Sequence, residues 1–120
     1  MGARPNGKHI LIVEDELMIR MLLEDMLDEL GYTVGAEAGR LDEALSAVAN
    51  KSFDVAILDV DLGGHPIVPV ADALASRGTP FVFATGYGER GLPEPYRDRP
   101  ILKKPFQIEG LKRALEAALK

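Results

Sequence analysis

A few residue types in this sequence stand where they could do chemistry together. Glu14 and Asp15, Asp59, Thr85, and Lys104 each stand within two residues of the end of a short apolar run. If those runs are strands of one sheet, three acids, one hydroxyl and one ammonium meet on a single rim. Carboxylates crowded into a partly desolvated cleft repel one another, so a cation must offset them. An all-oxygen donor set suits a hard divalent ion. Mg²⁺ in particular takes one or two carboxylates together with phosphate oxygens and retained waters. A carboxylate can itself attack phosphorus, as in the aspartyl-phosphate intermediates of ion-pumping ATPases. Phosphoryl transfer needs alignment and charge stabilisation on the equatorial oxygens. Mg²⁺ would hold one oxygen, Lys104 would pair with a second, and the Thr85 hydroxyl could donate to a third. Asp59 ends the most apolar run and can be flanked by both Lys104 and Thr85. It is the best nucleophile of the set.

Each residue has a plainer reading when taken alone. An acidic pair ahead of a helix is favourable charge at the helix N-terminus. Asp59 could cap a helix or loop, Thr85 could form a turn, and Lys104 could be a solvated surface lysine. All of these holding at once, at successive strand ends and in this order, would be a coincidence.

The elements that must position these residues follow from the hydrophobic pattern. Residues 8–13 form a β-branched apolar run without alternation, the pattern of a parallel strand covered on both faces. Ile19, Leu22, Leu23, Met26 and Leu30 then recur at helical spacing, and Gly31 stops the helix. A weaker strand at 32–36 precedes a helix marked by Leu41, Ala44, Leu45 and Val48 that ends near Asn50. The third strand, 55–58, runs into Asp59. Residues 62–66, Leu-Gly-Gly-His-Pro, read as loop. A helix over 67–76 is regular only from Pro69 onward. The fourth strand is 81–84. Three glycines and three prolines in 86–100 argue against a long helix there. A short fifth strand at 101–102 leads into Lys-Lys-Pro-Phe and a final helix with Ile108, Leu111, Leu115, Ala118 and Leu119 inward. Alternating strands and helices predict an α/β doubly wound parallel sheet, whose ligands sit outside the carboxyl ends of the strands.

The bulk properties agree with one soluble domain. The chain has 120 residues and a formal net charge of −5, with no basic run to neutralise nucleic acid phosphates. It has no cysteine, which removes disulfides, thiolate chemistry and Cys-ligated zinc. No stretch is apolar enough for a membrane span or signal peptide. The expectation is a flexible lead-in at 1–7, a domain at 8–120, a cytoplasmic setting, and neither nucleic acid nor membrane as partner. His9 and His65, the only histidines, read as surface residues without a catalytic role.

Ile-Val-Glu-Asp-Glu at 12–16, Leu-Asp-Val-Asp-Leu at 58–62, Ala-Thr-Gly at 84–86 and Lys-Pro-Phe at 104–106 together resemble the receiver domain of two-component response regulators. Singly these motifs are weak; their order and their placement at strand ends make the set specific. The likeness runs from His9 to the last helix. It implies a flavodoxin-like five-stranded sheet of order 2-1-3-4-5, here with a short or irregular fourth helix. It also implies Asp59 as phospho-acceptor, with Lys104 pairing to phosphate and Thr85 as switch hydroxyl. Mg²⁺ would be held by Asp15, Asp59 and the Asp61 backbone carbonyl, with Glu14 acting through water. The Lys104–Pro105 bond is expected to be cis. Phe81 to Gly88 further resembles a subgroup common in alphaproteobacteria, named for its Phe-Ala-Thr-Gly-Tyr-like signature. Its members occur alone or attached to histidine kinases.

Two departures stand out. Ile101 occupies a position where many receivers carry an aromatic switch residue, so Tyr87 is the candidate for part of that role. The Gly/Pro-rich span after Thr85 also looks shorter and looser than a fourth helix. On the first helix, extra burial is the preferred reading for Leu17 and Met21, whereas Met18 is a candidate for docking a phospho-donor. The expected partners are a histidine kinase or histidine phosphotransfer protein, and a downstream protein. The expected function is a signalling domain that assists its own phosphorylation and slow dephosphorylation, not a metabolic enzyme. The alternatives are a phosphorylation-independent binding module, a receiver cut from a hybrid kinase and, ranked last, a small aspartyl-nucleophile hydrolase.

Overall fold

The computed structural model describes residues 8–86 and 92–120, so the lead-in expected at 1–7 and the Tyr87 assignment lie outside the described residues. Five parallel strands form the central sheet: β1 (His9–Val13), β2 (Thr33–Ala38), β3 (Val55–Asp59), β6 (Phe81–Thr85) and β7 (Ile101–Lys103). Their order is β2-β1-β3-β6-β7, the predicted 2-1-3-4-5 arrangement. Among the described residues, four α-helices accompany them: α1 (Leu17–Glu29), α2 (Leu41–Asn50), α3 (Val68–Ser76) and α4 (Ile108–Leu119).

The sheet is sandwiched, which explains why its strands show no polar face. Leu11, Val13, Ala56, Leu58, Phe81 and Phe83 pack with residues of α2 and α3. Their neighbours Ile10, Ile12, Val55, Ile57, Val82 and Ala84 pack with residues of α1 and α4. Successive side chains of a strand point to opposite faces, so burying both faces demands an unbroken apolar run.

Several elements depart from the sequence reading. Residues 61–66 are not plain loop: β4 (Asp61–Leu62) and β5 (His65–Pro66) pair antiparallel as a small hairpin. Its turn residues Gly63 and Gly64 have φ of 57° and 83°, a left-handed pair that glycine adopts without steric cost. Strand β2 extends two residues beyond 36, to Ala38, and its register with β1 shifts between Ile10 and Leu11. Helix α3 starts at Val68, ahead of Pro69, which sits in the first turn where its missing N–H is no loss. Leu17 and Met21 are exposed, not covered by a neighbouring helix, and Leu22 is exposed as well. The spacing placed them correctly on the helix, but among the described residues no neighbouring element covers that part of its surface.

The region after Thr85 holds only a short 3₁₀ helix among its described residues, Glu94–Tyr96, as its glycines and prolines predict. Tyr96 anchors it. Its ring packs edge-on to Phe81, with centroids 5.4 Å apart, and its hydroxyl donates to Asp72 Oδ1 on α3. Ile101 pairs with Phe83 across the β6–β7 ladder and is partly buried in the same layer. Among the described residues, no helix is long and apolar enough to cross a membrane.

Candidate functional site

The carboxyl ends of β1, β3, β6 and β7 open into a cleft of about 540 Å³. Asp15, Asp59, Asp61, Gly63, Thr85 and Lys104 are among the residues lining it. Asp59 is the last residue of β3, Thr85 the last of β6, and Lys104 follows β7 directly. The parallel register sets these positions: Asp59 lies opposite Ala84, and Thr85 opposite Lys103. The sequence-predicted residues 14, 15, 59, 85 and 104 therefore do meet on one rim.

Glu14, Asp15 and Asp59 each present a carboxylate oxygen within 4.8 Å of the others. Lys104 stands against two of them, its Nζ 3.4 Å from Glu14 Oε1 and 3.6 Å from Asp59 Oδ1. Asp59 Oδ1 also accepts the Asp61 N–H at 3.2 Å. Glu14 Oε2 accepts the Glu16 N–H at 3.1 Å. The Lys104–Pro105 peptide bond is cis. Asp15 is exposed at the mouth, beside the β4–β5 turn, whereas Glu14, Asp59 and Thr85 are buried. His65 and His9 are exposed, and neither lines the cleft. Met18 lies on the exposed side of α1, with 82% of its surface open.

Burial, with crowding added, disfavours the charged form of these carboxyls. Burial, and then the charge of Asp59, push the Glu14 carboxyl up to about 7, against the pull of the Glu16 N–H and Lys104. Burial also raises the Asp59 carboxyl, although Lys104 and the Asp61 N–H work the other way. Burial alone would lower the Lys104 ammonium, but Asp59 and Glu14 together outweigh it and raise it. One lysine does not fully offset three acids. An all-oxygen, anion-rich cluster with one open side fits a hard divalent cation such as Mg²⁺.

A pH dependence follows. The folded chain keeps a proton on Glu14 up to about 7, whereas the unfolded chain releases it near 4.5. The folded state therefore binds more protons in that window, and stability falls as pH rises through it. A Mg²⁺ ion held by this cluster would reverse this loss and bind about tenfold more weakly at about pH 6 than at about pH 8, because its binding would expel that proton. Thermal melts across this range with and without Mg²⁺ check both effects; a stability that rises with pH in metal-free buffer would contradict them. The Glu37 carboxyl, which does not line the cleft, is also pushed to about 7 by its burial and by Glu24. Its share of the fall should persist when Mg²⁺ is added.

Sequence reasoning missed three contacts. The Asp61 N–H that bonds Asp59 belongs to the backbone and leaves no side-chain signal in the sequence. Tyr96 lay in a segment read only for its glycines and prolines. Arg20 looked like an ordinary polar helix residue, yet its Nη1 donates to the Glu14 carbonyl at 3.0 Å.

Comparison with known proteins agrees with this geometry. Residues 10–116 match the family model described as the response regulator receiver domain. Transcriptional regulatory protein PdtaR of Mycobacterium tuberculosis is 38% identical over 116 residues, covering 93% of this chain and 57% of that protein. The chain thus spans little more than half the length of that curated relative. The solution structure of SdrG from Sphingomonas melonis Fr1 is 46% identical, with a TM-score of 0.84 and full coverage of both chains. The BeF3-activated conformation of SdrG from Pseudomonas melonis Fr1 is 47% identical, with a TM-score of 0.81, covering 93% of this chain and 96% of that one. With a family model matched from the first strand into the last helix, and the acid–lysine cleft at the strand ends that model spans, the chain belongs to the receiver domains of two-component response regulators.

Proposed function

We propose that the chain accepts a phosphoryl group on Asp59 from a phosphohistidine of a histidine kinase or histidine phosphotransfer protein, in a Mg²⁺-dependent reaction. The observation that carries this reading is the placement of Asp59 between Lys104 at 3.6 Å and the Asp61 N–H at 3.2 Å, beside the Glu14–Asp15 pair. In the reaction, an Asp59 carboxylate oxygen attacks phosphorus, the P–N bond breaks, and the electron pair leaves on the donor imidazole. The product is an acyl phosphate, which water later hydrolyses to free Asp59 and inorganic phosphate. Bound Mg²⁺ would neutralise the charge between carboxylates and phosphoryl oxygens. Asp15, Asp59 and the Asp61 carbonyl would hold it directly, and Glu14 through water. Lys104, already drawn to Asp59 and Glu14, would move onto a phosphoryl oxygen. Thr85 would donate its hydroxyl to another, drawing the start of the following segment inward.

The signal would leave by protein contacts or by onward relay, in a cytoplasmic setting. Ile101 cannot act as an aromatic switch, and Tyr96 fixes the far end of the segment after Thr85 to α3. The BeF3-activated conformation reported for SdrG supports a phosphoryl-responsive reading of this fold.

A Mg²⁺ titration followed by amide NMR, repeated with beryllofluoride, tests the proposal. Shifts should centre on residues 14–16, 59–61, 85–86 and 104, with a second set only when beryllofluoride is present. No response at this rim would favour a binding module that works unphosphorylated. Met18 supplies a separate test of donor docking. Met18→Glu should slow transfer from a protein phosphohistidine about tenfold, as loss of an interface contact worth about 1.4 kcal/mol does. Phosphorylation by a small acyl phosphate should stay unchanged; equal effects on both donors would place Met18 outside the docking surface.

A further inference from the structure

The Glu14 backbone is held from two sides, and only one of them is the sheet. Its N–H donates to Ala38 O at 3.0 Å, the last rung of the β1–β2 ladder. In a parallel ladder the Glu14 carbonyl would next accept from the N–H of residue 40. Strand β2 ends at Ala38, however, and the chain turns at Gly39 into α2, where the Gly39 N–H bonds Glu43 Oε1 at 3.0 Å. The guanidinium of Arg20 takes the missing rung, with Nη1 donating to the Glu14 carbonyl at 3.0 Å. Arg20 sits on the first turn of α1, and helical side chains lean toward the N-terminus, which aims this one back at the acid pair.

Two further contacts fix that guanidinium. Its Nε faces Glu37 Oε1 at 3.5 Å, an ion pair in which the buried Nε makes no hydrogen bond. A Cβ on residue 39 would stand 2.3 Å from Nη1, far inside contact distance, so glycine at this position is what leaves the guanidinium its place. The atom that would yield is the tip of a long side chain, so a methyl here would displace Arg20 and spare the backbone.

We infer that Arg20 is a positioning residue: seated between Glu37 and Gly39, it fixes the Glu14 carbonyl and so orients the Glu14–Asp15 acid pair toward the cleft. The inference rests on the reading of that pair as part of a Mg²⁺-dependent acceptor site. Outer contacts of this kind, which orient ligands without touching the metal, commonly govern metal affinity by about 10–100-fold.

Four variants separate positioning from mere stabilisation, each read by Mg²⁺ titration on the amides of 14–16 and by thermal melting. Arg20→Ala removes the donor, and Gly39→Ala dislodges it while leaving Arg20 in the chain. Both should shift the amides of 14–16 in the metal-free protein and weaken Mg²⁺ binding about tenfold. Arg20→Lys should recover part of the affinity, since one ammonium can still reach the carbonyl. Glu37→Gln removes the charge of the ion pair but keeps an oxygen to seat Nε, and should change the melting temperature while leaving Mg²⁺ affinity as it was. Unchanged Mg²⁺ affinity in both Arg20→Ala and Gly39→Ala, whatever their melting temperatures, would overturn the inference. If Gly39→Ala does not fold, Arg20→Ala and Arg20→Lys decide the matter alone. Failure of the wild-type chain to bind Mg²⁺ at this rim would instead overturn the underlying reading of the site.

Discussion

Asp59→Asn is expected to reduce phosphoryl acceptance to background while making the metal-free protein more stable. The two effects have opposite signs because the proposed acceptor role needs Asp59 as a charged carboxylate where burial disfavours one. Its carboxyl is raised by burial and shares a 4.8 Å cluster with Glu14 and Asp15. Asparagine keeps an oxygen to accept the Asp61 N–H but carries no charge, so repulsion within the cluster falls. Lys104 still has Glu14 at 3.4 Å. The gain should be on the order of 1 kcal/mol at about pH 8 and shrink toward about pH 5, well below the value of about 7 to which Glu14 is pushed, where its proton already relieves the repulsion. An amide is a far poorer nucleophile than a carboxylate, so no acyl phosphate forms at this position. Denaturant melts and a phosphotransfer assay measure the two effects separately. Transfer at the wild-type level in the variant would remove Asp59 from the acceptor role, and a less stable variant would contradict the strain assigned to it.

Lys104→Met should impair both stability and transfer, and Mg²⁺ should rescue only the first. Lys104 bridges Glu14 and Asp59 with about a quarter of its side chain exposed, while both acids are nearly covered. Removing it leaves two buried carboxylates facing each other, a loss of about 1–3 kcal/mol in metal-free buffer. Protonation limits this loss, since Glu14 already titrates at about 7 and would move higher without the lysine. The destabilisation should therefore grow with pH and nearly vanish toward about pH 5. Mg²⁺ can replace the missing charge in the ground state. It cannot also stand where Lys104 would meet the transferred phosphoryl group, so the rate should remain about 10²–10³-fold below wild type at saturating Mg²⁺. Full recovery of the rate with Mg²⁺ would show that Lys104 serves the fold and not the reaction.

Much of this was legible from the sequence, for a physical reason. A sheet covered on both faces writes itself as short unbroken apolar runs, and the acids, threonine and lysine stood at the ends of those runs. The meeting of residues 14, 15, 59, 85 and 104 follows from that pattern, whereas the strand order was implied by the resemblance to receivers. Features that depend on distant partners were hidden. The end of β2 was obscured because Gly35 and Glu37 interrupt its apolar pattern. The 61–66 hairpin has strands of only two residues, too short for alternation to show, although the Gly-Gly turn was its one visible sign. Periodicity placed Leu17, Met21 and Leu22 on α1, but it cannot say whether a neighbouring element covers them. Tyr96 has meaning only beside Phe81 and Asp72. Arg20 and Gly39 are nineteen positions apart, and neither is informative until the ladder is seen to stop at Ala38.

The most direct measurement is chemical trapping of the modified residue. The wild-type chain is incubated with Mg²⁺ and a small acyl phosphate, reduced with borohydride, and digested for peptide mass mapping. An aspartyl phosphate is reduced to homoserine, so the label records the acceptor by position. Homoserine at 59, dependent on Mg²⁺ and lost in Lys104→Met under the same exposure, is the expected result. Homoserine at 15 or 61, or none at any position with Mg²⁺ present, would contradict Asp59 as the acceptor.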